Sequence, residues 1–333
     1  MKAIFLCEKS NNIFKVYDSK SIYELQTLTD IEKKIYAKED LYHEPKLFSN
    51  VEYIFSSWGM PTFTEDEIKT ILPSLKCVFY GAGTVQEFAR PFINCGVKVF
   101  SAWAANAIPV AEFTVAQIIL ANKGYFLTNR LYHSDGLHVA ATAFKKCNGN
   151  YGETVGIIGA GMIGRTVIQM LKNYRLNVIA FDPFLSEEKA KELGVEKCSL
   201  HSIFERAFVI SNHLANNEQT KGMLDYSCFS RMRENSVFIN TGRGAQVVEG
   251  DLVRILKERP DLTALLDVTW PEPPVVGHPF YTLPNCRLTP HIAGSAGDEV
   301  ARMGEYMLTE FKNYLSKKAS NYEVTLAMLK TMA

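Results

Sequence analysis

Four stretches from mid-chain onward hold residue types and spacings able to do chemistry. In TVGIIGAGMIGRTVIQMLKNY, Gly159, Gly161 and Gly164 stand at GxGxxG spacing, with Met162 and Ile163 between the last two. An apolar run at 155–158 precedes them and a helical run follows. In such a context the first glycine permits a tight turn, the second lets backbone approach a pyrophosphate, and the third lets the helix pack closely on the strand. The helix N-terminus then offers unpaired N–H groups and a positive dipole to the anion. Asp182 closes the next apolar run, NVIAFD. A carboxylate there accepts hydrogen bonds from ribose hydroxyls and repels a 2′-phosphate. No arginine follows Asp182 directly, so the pattern predicts an NAD site in preference to NADP. The bland alternative is a glycine-rich turn followed by a loop before Pro183.

The other three stretches each end a strand-like run. INTGRGAQVVE carries Thr241, Gly242 and Arg243, LLDVTWPEPP carries Asp267 and Glu272, and LTPHIAGS carries His291. An arginine on a glycine-flanked loop presents a planar fork that fits a carboxylate and a neighbouring carbonyl oxygen. Imidazole is the side chain suited to general acid–base work near neutral pH, and a carboxylate neighbour orients it. Taken singly, an arginine such as Arg243 is usually a surface charge, and a histidine after proline such as His291 is more often a capped loop residue than a catalyst.

The elements that must position these groups follow from patterning. The chain has 333 residues, enough for about two domains. Short apolar runs (KAIFLC, VEYIFSS, LKCVFYGAG, VKVFSA, then ETVGIIG, NVIAFD, FVISNH, SVFINTG, LTALLDV, CRLTPH) alternate with longer polar or helical stretches. That is the signature of parallel sheets covered by helices, here as two α/β units in tandem. Thr64 and Glu67 stand at capping-box spacing. A long connector helix is predicted from about Ile108 through Tyr132, with Pro109 in its first turn. Val300, Met303, Met307, Phe311 and Tyr314 recur at spacings of three and four, one apolar stripe of a last helix able to return the chain to the first unit.

Composition narrows the function classes. The 36 basic and 36 acidic residues cancel, which excludes the basic surplus of a phosphate-backbone binder, so no nucleic-acid partner is expected. No uninterrupted apolar run approaches the length of a membrane span, and the first ten residues hold too short an apolar stretch for a signal-peptide core. A cytoplasmic chain without a membrane partner is the expectation. Seven cysteines (Cys7, Cys77, Cys95, Cys147, Cys198, Cys228, Cys286) form no CxxC pair, so buried inert thiols are predicted, with neither disulfides nor a metal site.

The order of the motifs GAGMIG, TGRG, DVTWPEP and TPHIAG resembles that of the D-2-hydroxyacid dehydrogenase family, and the likeness spans nearly the whole chain. The resemblance implies two Rossmann-like, doubly wound parallel-sheet domains. The N-terminal one would be flavodoxin-like and completed by the C-terminal helix, with residues 1–103 and 297–333 binding substrate and residues 104–296 binding NAD. It further implies that Arg243 holds the carboxylate and carbonyl of a small 2-oxo or 2-hydroxy acid, that His291 shuttles the proton and that Glu272 holds His291. Asp267 would contact the nicotinamide carboxamide and Asp182 the adenosine ribose. Gly159, Gly161, Met162, Ile163, Gly164, Thr241 and Gly242 would form the rest of the cofactor contacts, with Thr114 near the nicotinamide. The loop YGAGTV, at Gly81, Ala82 and Gly83, would take the substrate carboxylate, and the enzyme would be a homodimer. Glutamate at 272, where formate dehydrogenases of this superfamily carry glutamine, argues against formate.

Two departures from the family pattern matter. NHLANNEQT lacks the proline of the usual H-x-P, which assigns His213 to lining the cofactor and not to chemistry. FKKCNGNYGETVGIIG lacks the common tryptophan before the phosphate-loop strand. Loops near Trp58, Met60, Tyr80 and Trp270 are expected to set the substrate side chain. A catalytically silent, NAD-sensing regulatory protein of the same fold is the competing reading, disfavoured by the intact Arg243, Glu272 and His291.

Overall fold

Strands that are apolar on both sides need cover on both faces, and period-two alternation sends successive side chains to opposite cores. The computed structural model describes residues 1–8 and 13–330. The chain divides into two units, Met1–Asn106 with Ser295–Ala333, and Ala107–Gly294.

Among the described residues the first unit holds a six-stranded sheet. Strands β1 (Lys2–Leu6), β2 (Ile35–Tyr36), β3 (Val51–Ser56), β4 (Cys77–Tyr80) and β5 (Lys98–Ser101) run parallel in the order β5-β4-β3-β1-β2. Glu323–Val324 joins antiparallel to β5. The parallel order is the flavodoxin-like one. Ile4, Leu6, Ile54, Val78 and Val99 enter one core, and Ala3, Phe5, Phe55, Phe79 and Phe100 the other. The helix Ala301–Leu315 covers the second face with Met303, Met307 and Phe311, the predicted stripe. The capping box at Thr64 is present: Glu67 N–H donates to Thr64 Oγ1 at 3.2 Å and Thr64 N–H to Glu67 Oε2 at 2.7 Å.

The second unit holds a seven-stranded sheet among the described residues. Its strands are β6 (Tyr151–Ile158), β7 (Arg175–Phe181), β8 (Glu196–Lys197), β9 (Val209–Asn212), β10 (Val237–Asn240), β11 (Thr263–Leu266) and β12 (Cys286–Leu288). All pair in parallel in the order β12-β11-β10-β9-β6-β7-β8. The chain reverses its direction of advance between β6 and β9, the switch point at which such sheets bind ligands beyond their carboxyl ends.

Several expectations need correction. The connector helix begins at Trp103, not near Ile108, and runs to Asn122, so Pro109 lies inside it. An interior proline forfeits one backbone hydrogen bond; alanine-rich WAANA before it and burial of Ala107, Val110 and Ala111 sustain the turn. The stretch to Tyr132 is not one helix, because Gly124 adopts φ +69° and a new helix, Tyr125–Asp135, starts there. By length and composition Trp103–Asn122 would suffice to cross a membrane, although 44% of the apolar window is buried within the structure. Cys77, Cys95, Cys147, Cys198, Cys228 and Cys286 are free, but Cys95, Cys147 and Cys198 are only half-buried. Burial pushes the Cys77 and Cys286 thiols up to about 12. Tyr80 belongs to the core, its ring 4.9 Å from that of Phe88, and not to a specificity loop. Trp58 and Trp270 are exposed.

Phe311 anchors the C-terminal segment to the first sheet, its ring 5.0 Å from Tyr53 and 5.3 Å from both Phe55 and Phe79. Phe311→Ala is expected to destabilise the first unit by about 3–5 kcal/mol, read as a lower Tm; an unchanged Tm would separate this helix from the core.

Candidate active site

Apart from Thr114, which lies in the helix Trp103–Asn122, the chemically capable residues noted in the second unit follow the carboxyl ends of strands. Crossing the sheet from β12 to β7, the strand ends lead into His291, Asp267, Arg243, His213, the glycine loop and Asp182. Neighbouring strands are about 4.8 Å apart, so the order groups the acid–base and cation residues on β10–β12 and the dinucleotide residues on β6, β7 and β9.

The glycine loop is sterically obligatory. Gly159 has φ +92°, and a Cβ there would stand 2.6 Å from the His213 carbonyl. A Cβ on Gly164 would stand 1.9 Å from Gly159 O, whereas one on Gly161 meets nothing within 4 Å. That open side at Gly161, where the helix Met162–Leu171 begins, is what a pyrophosphate needs. Asp182 Oδ2 accepts from Ala160 N–H and Oδ1 from Phe184 N–H, both at 2.7 Å. Each carboxylate oxygen retains a lone pair for a ribose hydroxyl. These features fit a dinucleotide.

His213 is buried, and burial pushes its imidazole down to about 3. The ring is neutral at ordinary pH and bridges hydroxyls: Nε2 lies 2.9 Å from Ser211 Oγ and Nδ1 3.4 Å from Thr241 Oγ1. Thr241 Oγ1 in turn lies 3.2 Å from Thr114 Oγ1. Thr114, Thr241 and His213 therefore form one chain of contacts beside the glycine loop.

Asp267 is the organiser of the opposite end. Its carboxylate is buried and accepts from Thr289 Oγ1 at 2.6 Å, Ile292 N–H at 2.8 Å and Ala293 N–H at 3.0 Å. Its carbonyl accepts from His291 N–H at 3.1 Å. The resemblance assigned this side chain to the nicotinamide; the structure engages it with the loop that carries His291. His291 itself has φ +54°, a left-handed conformation that costs a non-glycine residue about 1–2 kcal/mol. Three hydrogen bonds to one buried carboxylate are enough to hold it.

His291 Nδ1 lies 2.6 Å from Glu272 Oε1. With Nδ1–H donated to the carboxylate, Nε2 is left to carry or accept a proton. Glu272 is also the charge acting on Arg243: burial pulls that guanidinium below its ordinary value and Glu272 opposes the pull. Glu272 thus touches His291 directly and acts on Arg243 through its charge. Arg243 Nη1 donates to Gly242 O at 2.8 Å. Gly244, next along, admits no side chain, because a Cβ would stand 2.0 Å from the Thr269 backbone; this contact seats the arginine loop against the strand end that carries Asp267.

Sequence reasoning missed Glu249. Its Oε1 accepts from Trp270 N–H at 2.7 Å and its Oε2 lies 3.7 Å from His278 Nε2. Burial lifts its carboxyl above the usual range, partly offset by the Trp270 N–H. It ties down the loop two residues before Glu272. An acidic residue in the first turn of the helix Glu249–Glu258 signals only a helix start, so nothing local pointed to this contact.

In the first unit, the loop at Gly81, Ala82 and Gly83 has all three carbonyls engaged. Ser57 Oγ donates to Gly81 O at 3.1 Å, and Ala82 O accepts from Ala102 N–H at 3.0 Å and Ser101 Oγ at 2.9 Å. Ser101 Oγ also reaches Gly83 O at 2.5 Å. In trans peptides the following N–H points opposite its carbonyl. The N–H groups of Ala82, Gly83 and Thr84 each point opposite these carbonyls.

Residues 115–293 match the family described as D-isomer specific 2-hydroxyacid dehydrogenase, NAD binding domain. YoaD of Bacillus subtilis is 33% identical over 208 residues, 60% of this chain and 58% of that protein. D-3-phosphoglycerate dehydrogenase of Archaeoglobus fulgidus is 30% identical over 220 residues, 66% of this chain and 41% of that protein. The chain thus spans roughly half the length of these relatives. The apo structure of Rhodotorula graminis D-mandelate dehydrogenase superposes with a TM-score of 0.81 at 18% identity, covering 97% of each chain, a likeness of fold.

His213 gives a pH test. Its folded pKa of about 3 lies below the unfolded value near 6.5. Below pH 6.5 the unfolded chain takes up a proton that the folded chain refuses, so this contribution to stability is present above 6.5 and lost as pH falls toward 3. Between pH 7 and pH 5 the protein should lose about 2 kcal/mol more than the His213→Gln variant, measured by urea unfolding at each pH. Parallel losses would show that His213 titrates normally.

Proposed function

The chain belongs to the D-isomer specific 2-hydroxyacid dehydrogenase family, and from that premise we propose that it interconverts a small 2-oxo acid and its D-2-hydroxy acid with NAD as cofactor. NADH, when bound, supplies the hydride that the carbonyl carbon receives. Arg243 pairs its fork with the substrate carboxylate and carbonyl oxygen and stabilises the negative charge that develops there. Protonated His291 gives its Nε2 proton to that oxygen; in the reverse direction neutral His291 removes it. Glu272 fixes the tautomer and offsets the imidazolium charge. The loop at Gly81, Ala82 and Gly83 is assigned to the substrate carboxylate. Gly159, Gly161, Met162, Ile163, Gly164, Asp182, His213, Thr241, Gly242, Asp267 and Thr114 are assigned to the cofactor side. Trp58, Met60 and Trp270 are assigned to side-chain selection. The observation that carries this reading is the 2.6 Å contact between His291 and Glu272, the same carboxylate whose charge acts on Arg243.

We assign the chain to a homodimer in the cytoplasm. Exposed Tyr125, Tyr132, Leu137, Val139 and Phe144 on consecutive helices of the second unit support self-association, and the free thiols of Cys77, Cys95, Cys147, Cys198, Cys228 and Cys286 suit a reducing compartment.

The test is NADH oxidation with a panel of 2-oxo acids. Turnover with at least one is expected; NADH binding without turnover on any would favour a NAD-sensing regulatory protein. Arg243→Lys should lower kcat/KM about a hundredfold, since a point charge cannot replace a bidentate fork, and near-normal kcat/KM would remove Arg243 from the chemistry. NADH should be preferred to NADPH, because Asp182 faces the 2′ position; equal kcat/KM for the two cofactors would contradict that role. Light scattering should give twice the chain mass, and 37.4 kDa at micromolar concentration would exclude the dimer.

A further inference from the structure

Three carboxamides lie buried beneath the arginine loop. Asn212 ends β9, Asn240 ends β10, and Gln246 follows Arg243 by three residues; each is essentially inaccessible to solvent. Asn212 Nδ2 donates to Asn240 Oδ1 at 3.0 Å and to Gln246 Oε1 at 2.5 Å, using both of its hydrogens. Each acceptor then takes a second bond from the loop. Gly242 N–H donates to Asn240 Oδ1 at 3.1 Å, and Arg243 N–H to Gln246 Oε1 at 3.4 Å. Asn240 Nδ2 donates to Arg243 O at 3.2 Å.

The network also reaches the cofactor end of the sheet. Gln246 Nε2 donates to Leu214 O at 2.7 Å, and Asn212 Oδ1 accepts from Leu214 N–H at 3.3 Å. The peptide joining His213 to Leu214 is the one pressed against Gly159.

We propose that Asn212, Asn240 and Gln246 are positioning residues for Arg243, holding its backbone so that the guanidinium meets substrate without reordering the loop. This rests on the reading that Arg243 binds a 2-oxo acid. Two observations argue for positioning over simple core filling. Apolar side chains of similar size would fill the same space, as Ile158 and Phe238 do nearby. Moreover, the loop groups the amides engage are the polar backbone groups on either side of the Arg243 side chain. A buried amide left without partners is costly, so the three act as a unit, and loss of one bond releases its neighbours.

The experiment compares the intact protein with Asn212→Leu/Gln246→Leu, which removes two members together, and with Gln246→Met, which removes one amide at similar volume. Hydrogen exchange of the Gly242 and Arg243 amides is followed by mass spectrometry, alongside NADH affinity and 2-oxo acid kinetics. The proposal expects both amides to exchange at least about tenfold faster in the variants. It expects kcat/KM to fall about 10- to 100-fold, mostly through the KM for the 2-oxo acid, and NADH affinity, which the bonds to Leu214 also touch, to fall by a clearly smaller factor. Wild-type exchange in a folded variant, or kcat/KM within twofold of wild type, would overturn it. A merely structural role would lower NADH affinity and kcat/KM by equal factors, which also counts against it. Should the wild type turn over no 2-oxo acid, the functional reading fails, and the exchange rates alone decide whether these amides hold Arg243.

Discussion

One buried carboxylate, that of Asp267, sets the geometry on which the proposed chemistry depends. Its two oxygens collect a hydroxyl and two backbone N–H groups from residues 289–293, and its carbonyl collects the His291 N–H. Left alone, a histidine at φ +54° would relax to a commoner conformation. Held there, it turns Nδ1 toward Glu272 and leaves Nε2 for a proton. Without that carboxylate the imidazole has no fixed address, and neither the tautomer nor the pairing with Glu272 follows.

The parallel sheet supplies the rest of the order. Because all seven strands of the second unit point the same way, every strand end delivers its loop to one edge. Spacing across the sheet then separates the groups that bind a dinucleotide from those that move a proton. Loop shape is enforced at both ends by steric necessity: Gly159 and Gly164 at the phosphate loop, Gly244 where the arginine loop meets Thr269. Between them, buried amides and the neutral His213 fill the space that a purely apolar core would leave without directional bonds.

What was legible in the sequence were features whose cause is local. The GxGxxG spacing reads as a phosphate loop because only glycine satisfies its backbone demands, and the flanking strand and helix are visible as hydrophobic runs. The Thr64 capping box and the stripe of Met303, Met307 and Phe311 are likewise short-range patterns. Long-range contacts were not legible. Asp267 holds partners at 289–293, more than twenty positions away, so its grip on the His291 loop had no local signal. The contacts of Glu249 with Trp270 and His278, and those among Asn212, Asn240 and Gln246, likewise had no local signal, since folding alone brings the partners together. Pro109 was misplaced because burial of the helix around it outweighs the lost hydrogen bond, a balance no local rule contains.

The central claim is that Asp267 acts through His291. Its most direct test is a double-mutant cycle on the hydride-transfer rate, observed as single-turnover loss of NADH with Asp267→Asn, His291→Gln and the pair. If Asp267 serves by fixing His291, each single variant should lose roughly 10²- to 10⁴-fold, and the double variant should lose little more than His291→Gln alone. Losses that multiply in the double variant would show that Asp267 acts independently of His291 and would contradict the account.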